Sequence, residues 1–322
     1  MIRDLPLLAL IVAVYVWPST ISAQSSDRIP IVGMLTVTAG ASDSVATSFR
    51  DGLARLGYID GQNIKIDHRN ANGDASRLPK LAEELVRIPV DVIAVGAEPA
   101  LSAVTRATTT IPIVVVSVDK DLVETGVVKS VNRPGGNVTG IYSLQTELAA
   151  KRLELLKDAI PRLTRVAVFW DPLNREGASD IVAAAQSLRL TIQPIKVGAP
   201  YDFDAAFRFA KSAKVGAVLV AFSPSYYVQR QRMATAALGA RIPTMYSDQP
   251  NVEAGGLMSY GPTLLWGRAA YFVDRILKGT KVSELPMEQV SEFKLTVNLR
   301  TARALGIVVP ESVLVRADEV IK

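Results

Sequence analysis

The chain of 322 residues has no cysteine and a single histidine, His68. The first absence excludes disulfides, a thiolate nucleophile, cysteine-ligated zinc and a lipid-bearing cysteine. The second leaves only an oxygen-ligated ion as a possible metal centre, and no EF-hand-like spacing of carboxylates occurs. A Ser-His-Asp triad needs its histidine beside an exposed serine, and the chain has no G-x-S-x-G elbow to present one. Glycine-rich phosphate loops of the G-x-G-x-x-G or G-x-x-x-x-G-K-[ST] type are missing from the strand ends. No constellation for catalysis is present, and no cofactor is implied. Long apolar runs are also lacking. The longest, "LPLLALIVAVYVW" from Leu5 to Trp17, falls short of the roughly 20 residues of a membrane-spanning helix.

Aromatic residues make up only 6% of the chain, whereas hydrophobic residues make up 49% and charged ones 21%. Abundant Val, Ala and Ile with few rings suit an α/β protein with buried strands. The length suggests two domains. A net charge of +5 is spread along the chain without a dense basic block. This points to a solvated basic surface and not to a nucleic-acid partner. At the N-terminus, Arg3, the short apolar run and the small-residue stretch "STISA" read as a secretory signal peptide over residues 1–23. Cleavage after Ala23 would leave a soluble, exported, periplasmic chain starting at Gln24.

Apolar strand-like segments recur along the chain. In the first half they begin at Ile31, Ile64, Val92, Ile113 and Val138. In the second half they begin at Val166, Thr191, Ala217, Ile242 and Leu257. Several are continuous apolar runs, as parallel strands covered on both faces require. Amphipathic helices lie between them. Leu78, Leu81, Ala82, Leu85 and Val86 share one helical face, as do Phe203, Ala206, Phe207 and Ala210. Two successive sets of βα units imply two doubly wound, Rossmann-like lobes. The chain would cross between them near Gly140, Gly261 and Val297, a three-crossover hinge. Lobe one would hold residues 28–140 and 262–290, and lobe two 141–261 and 291–322. The stretch "RPGGNVTG" at 133–140 precedes a strand, with no helix immediately after it. It reads as a turn and not as a phosphate cradle.

In open α/β sheets, ligands sit beyond the carboxyl ends of the strands. In lobe one those ends, or the helix starts after them, carry Thr36, Ser42, Ala97, Glu98, Pro99 and Asp119. Pro99 is placed like a first-turn helix residue. In the second set they carry Asp171, Phe222, Ser223 and Asp248, and Tyr142 and Tyr260 lie near the same edge. Each Asp or Ser at such a position can be a helix cap or a turn former. As a set facing one crevice, they form a candidate ligand site. Backbone N–H groups at helix starts suit a carboxylate, an Asp suits an ammonium group, and the rings offer a platform.

Four long strings strengthen this reading: "IPIVVVSVDKDLVETGVVKSVNRPGGNVTGIY", "KRLELLKDAIPRLTRVAVFW", "VEAGGLMSYGP" and "ILKGTKVSELPMEQVSEFKLTVNLRTARALGIVVP". They resemble the ABC transporter substrate-binding family that includes the tryptophan-binding (TrpX-like) proteins, from about Arg28 to the end. The resemblance implies a type I periplasmic-binding-protein fold and a small-molecule ligand enclosed by lobe closure. It also implies delivery, by a monomer, to an ABC permease with a cytoplasmic ATPase. Family members often carry Asp-Pro-Val where this chain has "DKDLV"; Asp119 matches the Asp, Lys120 replaces Pro, and Asp121 is added. Two other readings share the fold class: a sensory binding protein docking on a receptor kinase, and an exported α/β enzyme.

Overall fold

The computed structural model describes residues 28–37, 42–118, 122–143, 145–172, 178–262 and 266–322. The first βα units are β1 (Ile31–Thr36), α1 (Ser42–Arg55), β2 (Lys65–Asn70), α2 (Leu78–Val86), β3 (Val92–Gly96), α3 (Glu98–Ala107), β4 (Ile113–Val118) and β5 (Val138–Tyr142). Next come α4 (Gln145–Ala159), β6 (Arg165–Trp170), α5 (Ala178–Ser187), β7 (Thr191–Lys196), α6 (Phe203–Ser212) and β8 (Ala217–Val220). They are followed by α7 (Pro224–Val228), α8 (Arg230–Ala240), β9 (Thr244–Tyr246), α9 (Gln249–Glu253) and β10 (Met258–Pro262). The chain ends with α10 (Trp266–Leu277), β11 (Glu288–Gln289), β12 (Phe293–Asn298), α11 (Leu299–Leu305), α12 (Glu311–Leu314) and β13 (Glu319–Ile321).

The strands form two sheets, ordered β11-β5-β4-β3-β1-β2 and β13-β12-β10-β9-β8-β6-β7. The first is parallel throughout. In the second, β12 runs antiparallel to β10 and parallel to β13, and the other pairings are parallel. Alternate residues of each central strand feed opposite cores, as a two-residue period dictates. Val32 and Met34 of β1 pack with Phe49, Leu53 and Phe272. Leu35 faces the other way, toward Leu81, Leu85 and Val104. In the second sheet, Val166 and Val168 meet Leu153 and Leu156, while Ala167 and Phe169 meet Phe207 and Met233. Each such fully buried aliphatic side chain contributes about 1.5–3 kcal/mol, so the four layers hold the lobes together without disulfides.

The local signals explain the boundaries. Leu78, Leu81, Ala82 and Leu85 are the buried face of α2, and Val86 is half-buried against the same core. Asp202 caps α6 by accepting from Ala205 N at 2.8 Å, a contact worth about 1 kcal/mol. Pro194 lies in β7, the edge strand of its sheet, where a missing N–H costs no ladder bond. Gly135 turns with φ +74° and its N–H donates to Ser283 O at 3.2 Å. The glycine pair therefore closes a turn ahead of β5.

Gly140, Gly261 and Val297 lie inside β5, β10 and β12. The passages between sheets fall after Tyr142, after Pro262 and after Gln289. After the second passage the chain returns to the first sheet, where Trp266 of α10 meets Phe49 edge-on at 5.9 Å between ring centres.

Candidate ligand-binding site

A doubly wound sheet opens a crevice where the strand order reverses. In the first sheet this point lies between β1 and β3, since the chain winds outward to β2 on one side and to β4 and β5 on the other. Thr36 and Ala97 sit at the carboxyl ends of those two strands. Thr36 is buried, with Oγ1 2.9 Å from His68 Nε2. Burial lowers the His68 pKa, and the Arg50 charge lowers it further, against a smaller opposite pull from Asp67. Ala97 is the residue before α3 and has φ 71° and ψ 153°. This conformation is close to glycine-only, and residues held in it cluster at functional sites. Glu98 and Pro99 form the first turn of α3, half-buried. The α3 N-terminus thus lies beside Thr36 at the reversal point.

In the second sheet the reversal falls between β6 and β8. Asp171, just after β6, is buried, and its Oδ2 accepts from Ser223 Oγ at 2.7 Å and Tyr201 Oη at 3.2 Å. Ser223 also caps α7, accepting from Ser225 N at 3.2 Å. Behind them, Tyr226 Oη donates to Val197 O at 2.8 Å, and Tyr201, Phe203 and Tyr226 pack their rings together. Asp171 and Ser223 therefore form an internal brace joining the ends of β6 and β8.

Asp248 differs from Asp171. It follows β9, is half-buried, and accepts from Asn251 Nδ2 at 2.6 Å and from Ser247 Oγ at 3.1 Å. Burial raises its pKa above the ordinary carboxylate value. The hydrogen bonds from Ser247 and Asn251 and the charge of Arg152 pull it back only in part. Arg152 is itself buried on α4 and donates from Nε to Tyr260 O at 2.7 Å.

The remaining sequence-chosen residues spread along the same edges. Tyr142 ends β5, half-buried, with Oη 3.5 Å from Gln289 Oε1. Phe222 is half-buried beside Ser223. The Tyr260 ring, half-buried, meets Phe293 at 6.0 Å between ring centres; Tyr260 packs against the second sheet's core and Phe293 against the first's. Asp119 and the Ser42 side chain lie outside the described residues. Sequence reasoning singles out His68 only as the chain's one histidine, and the fold sets it against Thr36. The same reasoning missed Tyr201, Asn251 and Arg152. Of these only Asn251, three residues after Asp248, carried a signal, because that spacing suits a side-chain bond within one helical turn.

Among the described residues, no group of His, Asp and Glu could hold a metal ion, and no helix is long and apolar enough to cross a membrane.

The comparisons with known proteins agree with this architecture. The tyrosine-binding protein of Clostridioides difficile (strain R20291) is 28% identical over 270 residues, spanning 82% of this chain and 77% of that protein. The ABC domain from Streptococcus pneumonia solved in complex with L-Trp has a TM-score of 0.82 at 26% identity, covering 91% of this chain and 100% of that one. A conserved domain protein from Vibrio cholerae O1 biovar El Tor has a TM-score of 0.84 at 26% identity, with the same coverage. Two lobes, each built on a wholly or mainly parallel sheet and joined by three passages of the chain, make this a type I periplasmic-binding-protein fold. A family model described as ABC transporter substrate binding protein matches residues 30–321, and the chain belongs to that family.

Proposed function

We propose that this chain captures an amino acid or a related aromatic acid between its two lobes and hands it to a membrane permease driven by a cytoplasmic ATPase. The observation that carries this reading is Asp248, a carboxylate just past the carboxyl end of β9 and held partly out of water. Two neighbours hold its oxygens in place. Such a group gains most from a bound cation, because an ammonium restores what desolvation removed. In the first lobe, the α3 N-terminus beside Thr36 supplies the complement for a carboxylate. The half-buried rings of Tyr142 and Phe222 offer a surface for an aromatic side chain. The tyrosine-binding relative and the L-Trp complex support the same ligand class. The protein acts outside the cytoplasm after removal of residues 1–23, as a monomer, and binds without turnover. Closure bends the connections after Tyr142, Pro262 and Gln289, with each sheet and its helices moving as one body.

A thermal-shift and calorimetry series on the protein starting at Gln24 tests the proposal, with L-tryptophan, L-tyrosine, benzoate and a neutral sugar as probes. Ligand at a hundredfold excess over Kd stabilises by about 2.7 kcal/mol. A clear shift with at least one aromatic amino acid or acid is the expected result. Tight binding of the sugar, with none of the other three bound, overturns the proposal.

A further inference from the structure

Behind Asp248 lies a polar group of residues that the ligand reading does not use. Ser259 of β10 and Thr296 of β12 are directly opposed across the antiparallel pair. They alternate with Met258, Leu295 and Val297 of the core on one side and so point to the other, where Asn298, two residues after Thr296, bonds to Val252 of α9. Ser259 is 1% exposed, Thr296 0% and Asn251 of α9 4%. Ser259 Oγ, Thr296 Oγ1 and Asn251 Oδ1 are buried without a hydrogen-bond partner among the described residues. Three such atoms from three adjacent elements are unusual, since buried polar side chains nearly always find partners.

The surroundings hold α9 close to the strands. Asn298 Nδ2 donates to Val252 O at 3.0 Å, and Thr301 Oγ1 donates to Gly255 O at 2.9 Å. Gly256 N donates to Asn251 O at 3.0 Å. Gly256 sits so near the Tyr246 ring that a Cβ there would come within 2.3 Å of Cε2. Asn251 is therefore pinned by its backbone, and its amide has one free choice, which end faces Asp248. The nitrogen donates to Asp248 Oδ1 at 2.6 Å, which leaves the amide oxygen in need of a donor. Neither hydroxyl supplies one directly.

We propose that Ser259 Oγ, Thr296 Oγ1 and Asn251 Oδ1 together hold a buried, long-lived water molecule. Opposed residues of an antiparallel pair have Cβ atoms about 4.5–5.5 Å apart, a separation that one water can bridge. Three polar partners are the usual complement of an internal water. The water donates one proton to Asn251 Oδ1 and exchanges hydrogen bonds with the two hydroxyls. It fixes the amide with its nitrogen toward Asp248, so Asn251, Ser259 and Thr296 act as positioning residues for that carboxylate. The site also ties together β10 and β12, which flank the second and third passages between the sheets. It exists whether or not the solute proposed above is the right one.

Magnetisation transfer from water to the Ser259 and Thr296 amides, measured by NMR on the ligand-free protein, tests the proposal. A transfer signal at these amides, with the sign of a slowly exchanging water, is expected; its absence overturns the site. Thr296→Val keeps the shape and removes one hydroxyl. Loss of the signal with a Tm lowered by several degrees assigns the water to these groups, whereas a retained signal overturns the assignment. If Thr296→Val does not fold, Ser259→Ala is read by the same signal.

Discussion

Thr36 Oγ1 and His68 Nε2 lie 2.9 Å apart, across adjacent strands and next to the point where the first sheet reverses its order. The bond makes the only histidine of the chain a reporter of that edge. Its pKa is lowered from 6.5 in the fold, by burial first and by Arg50 second. The unfolded chain therefore takes up a proton at higher pH than the folded one, and stability falls as pH drops through about 6.5. The loss is complete once the pH is below the lowered value. Tm measured from pH 8 to 5 should show this decline, and His68→Gln should flatten it. A slope unchanged in His68→Gln would assign the effect to other groups.

Asp248 gives the opposite sign. Its folded pKa is raised above 3.8, so the folded state holds its proton at higher pH than the unfolded state. Ionisation then costs stability as pH rises through the folded value, and the cost persists at neutral pH. Asp248→Asn should raise the Tm of the ligand-free protein at pH 7. The same change should weaken binding of an amine-bearing ligand by roughly 1.5–3 kcal/mol, the worth of a hydrogen bond to a charged group. Calorimetry and thermal melts on one pair of proteins read both effects. Unchanged affinity for every amino acid that binds would remove Asp248 from the site.

Ala97 holds φ 71° and ψ 153°, a conformation that costs a non-glycine residue about 1–3 kcal/mol. Glycine avoids that cost and loses about 0.4–1 kcal/mol through the greater freedom of its unfolded chain. Ala97→Gly should therefore stabilise the protein by about 1 kcal/mol in denaturant melts. A destabilised variant would show that the alanine methyl contributes more by packing than the backbone loses by strain.

Gly261 and Gly239 make a matched pair. A Cβ on Gly261 would lie 1.6 Å from Ser247 O, a backbone atom of the neighbouring chain segment. Gly261→Ala must therefore displace β10 or the turn after β9, and loss of soluble folded protein is expected. Gly239 lies within α8 with open space around its Cα. There alanine should add about 0.5–1 kcal/mol, the helix preference over glycine. Equal effects at the two positions would contradict the close approach of β10 to Ser247.

The apolar runs carried the strands, because a strand buried on both faces must be apolar along its whole length. The helical spacing of Leu78, Leu81, Ala82 and Leu85 carried the buried face of α2, and Pro99 marked the start of α3. These are local properties, and they sufficed for two successive doubly wound lobes. The short helices α7 and α9 went unread, since five residues are too few to show a periodicity. Asp171 and Asp248 look alike in the sequence, each an acid just past a buried strand. Only the fold separates them, by bringing Tyr201 and Ser223, 30 and 52 residues distant, onto Asp171. Asp248 takes its hydrogen bonds from its own turn. Likewise Thr36 meets His68 through strand pairing across 32 residues. Backbone conformation and burial follow from local pattern, whereas the partner of a polar group depends on which strands become neighbours, a choice made by the packing of the whole lobe.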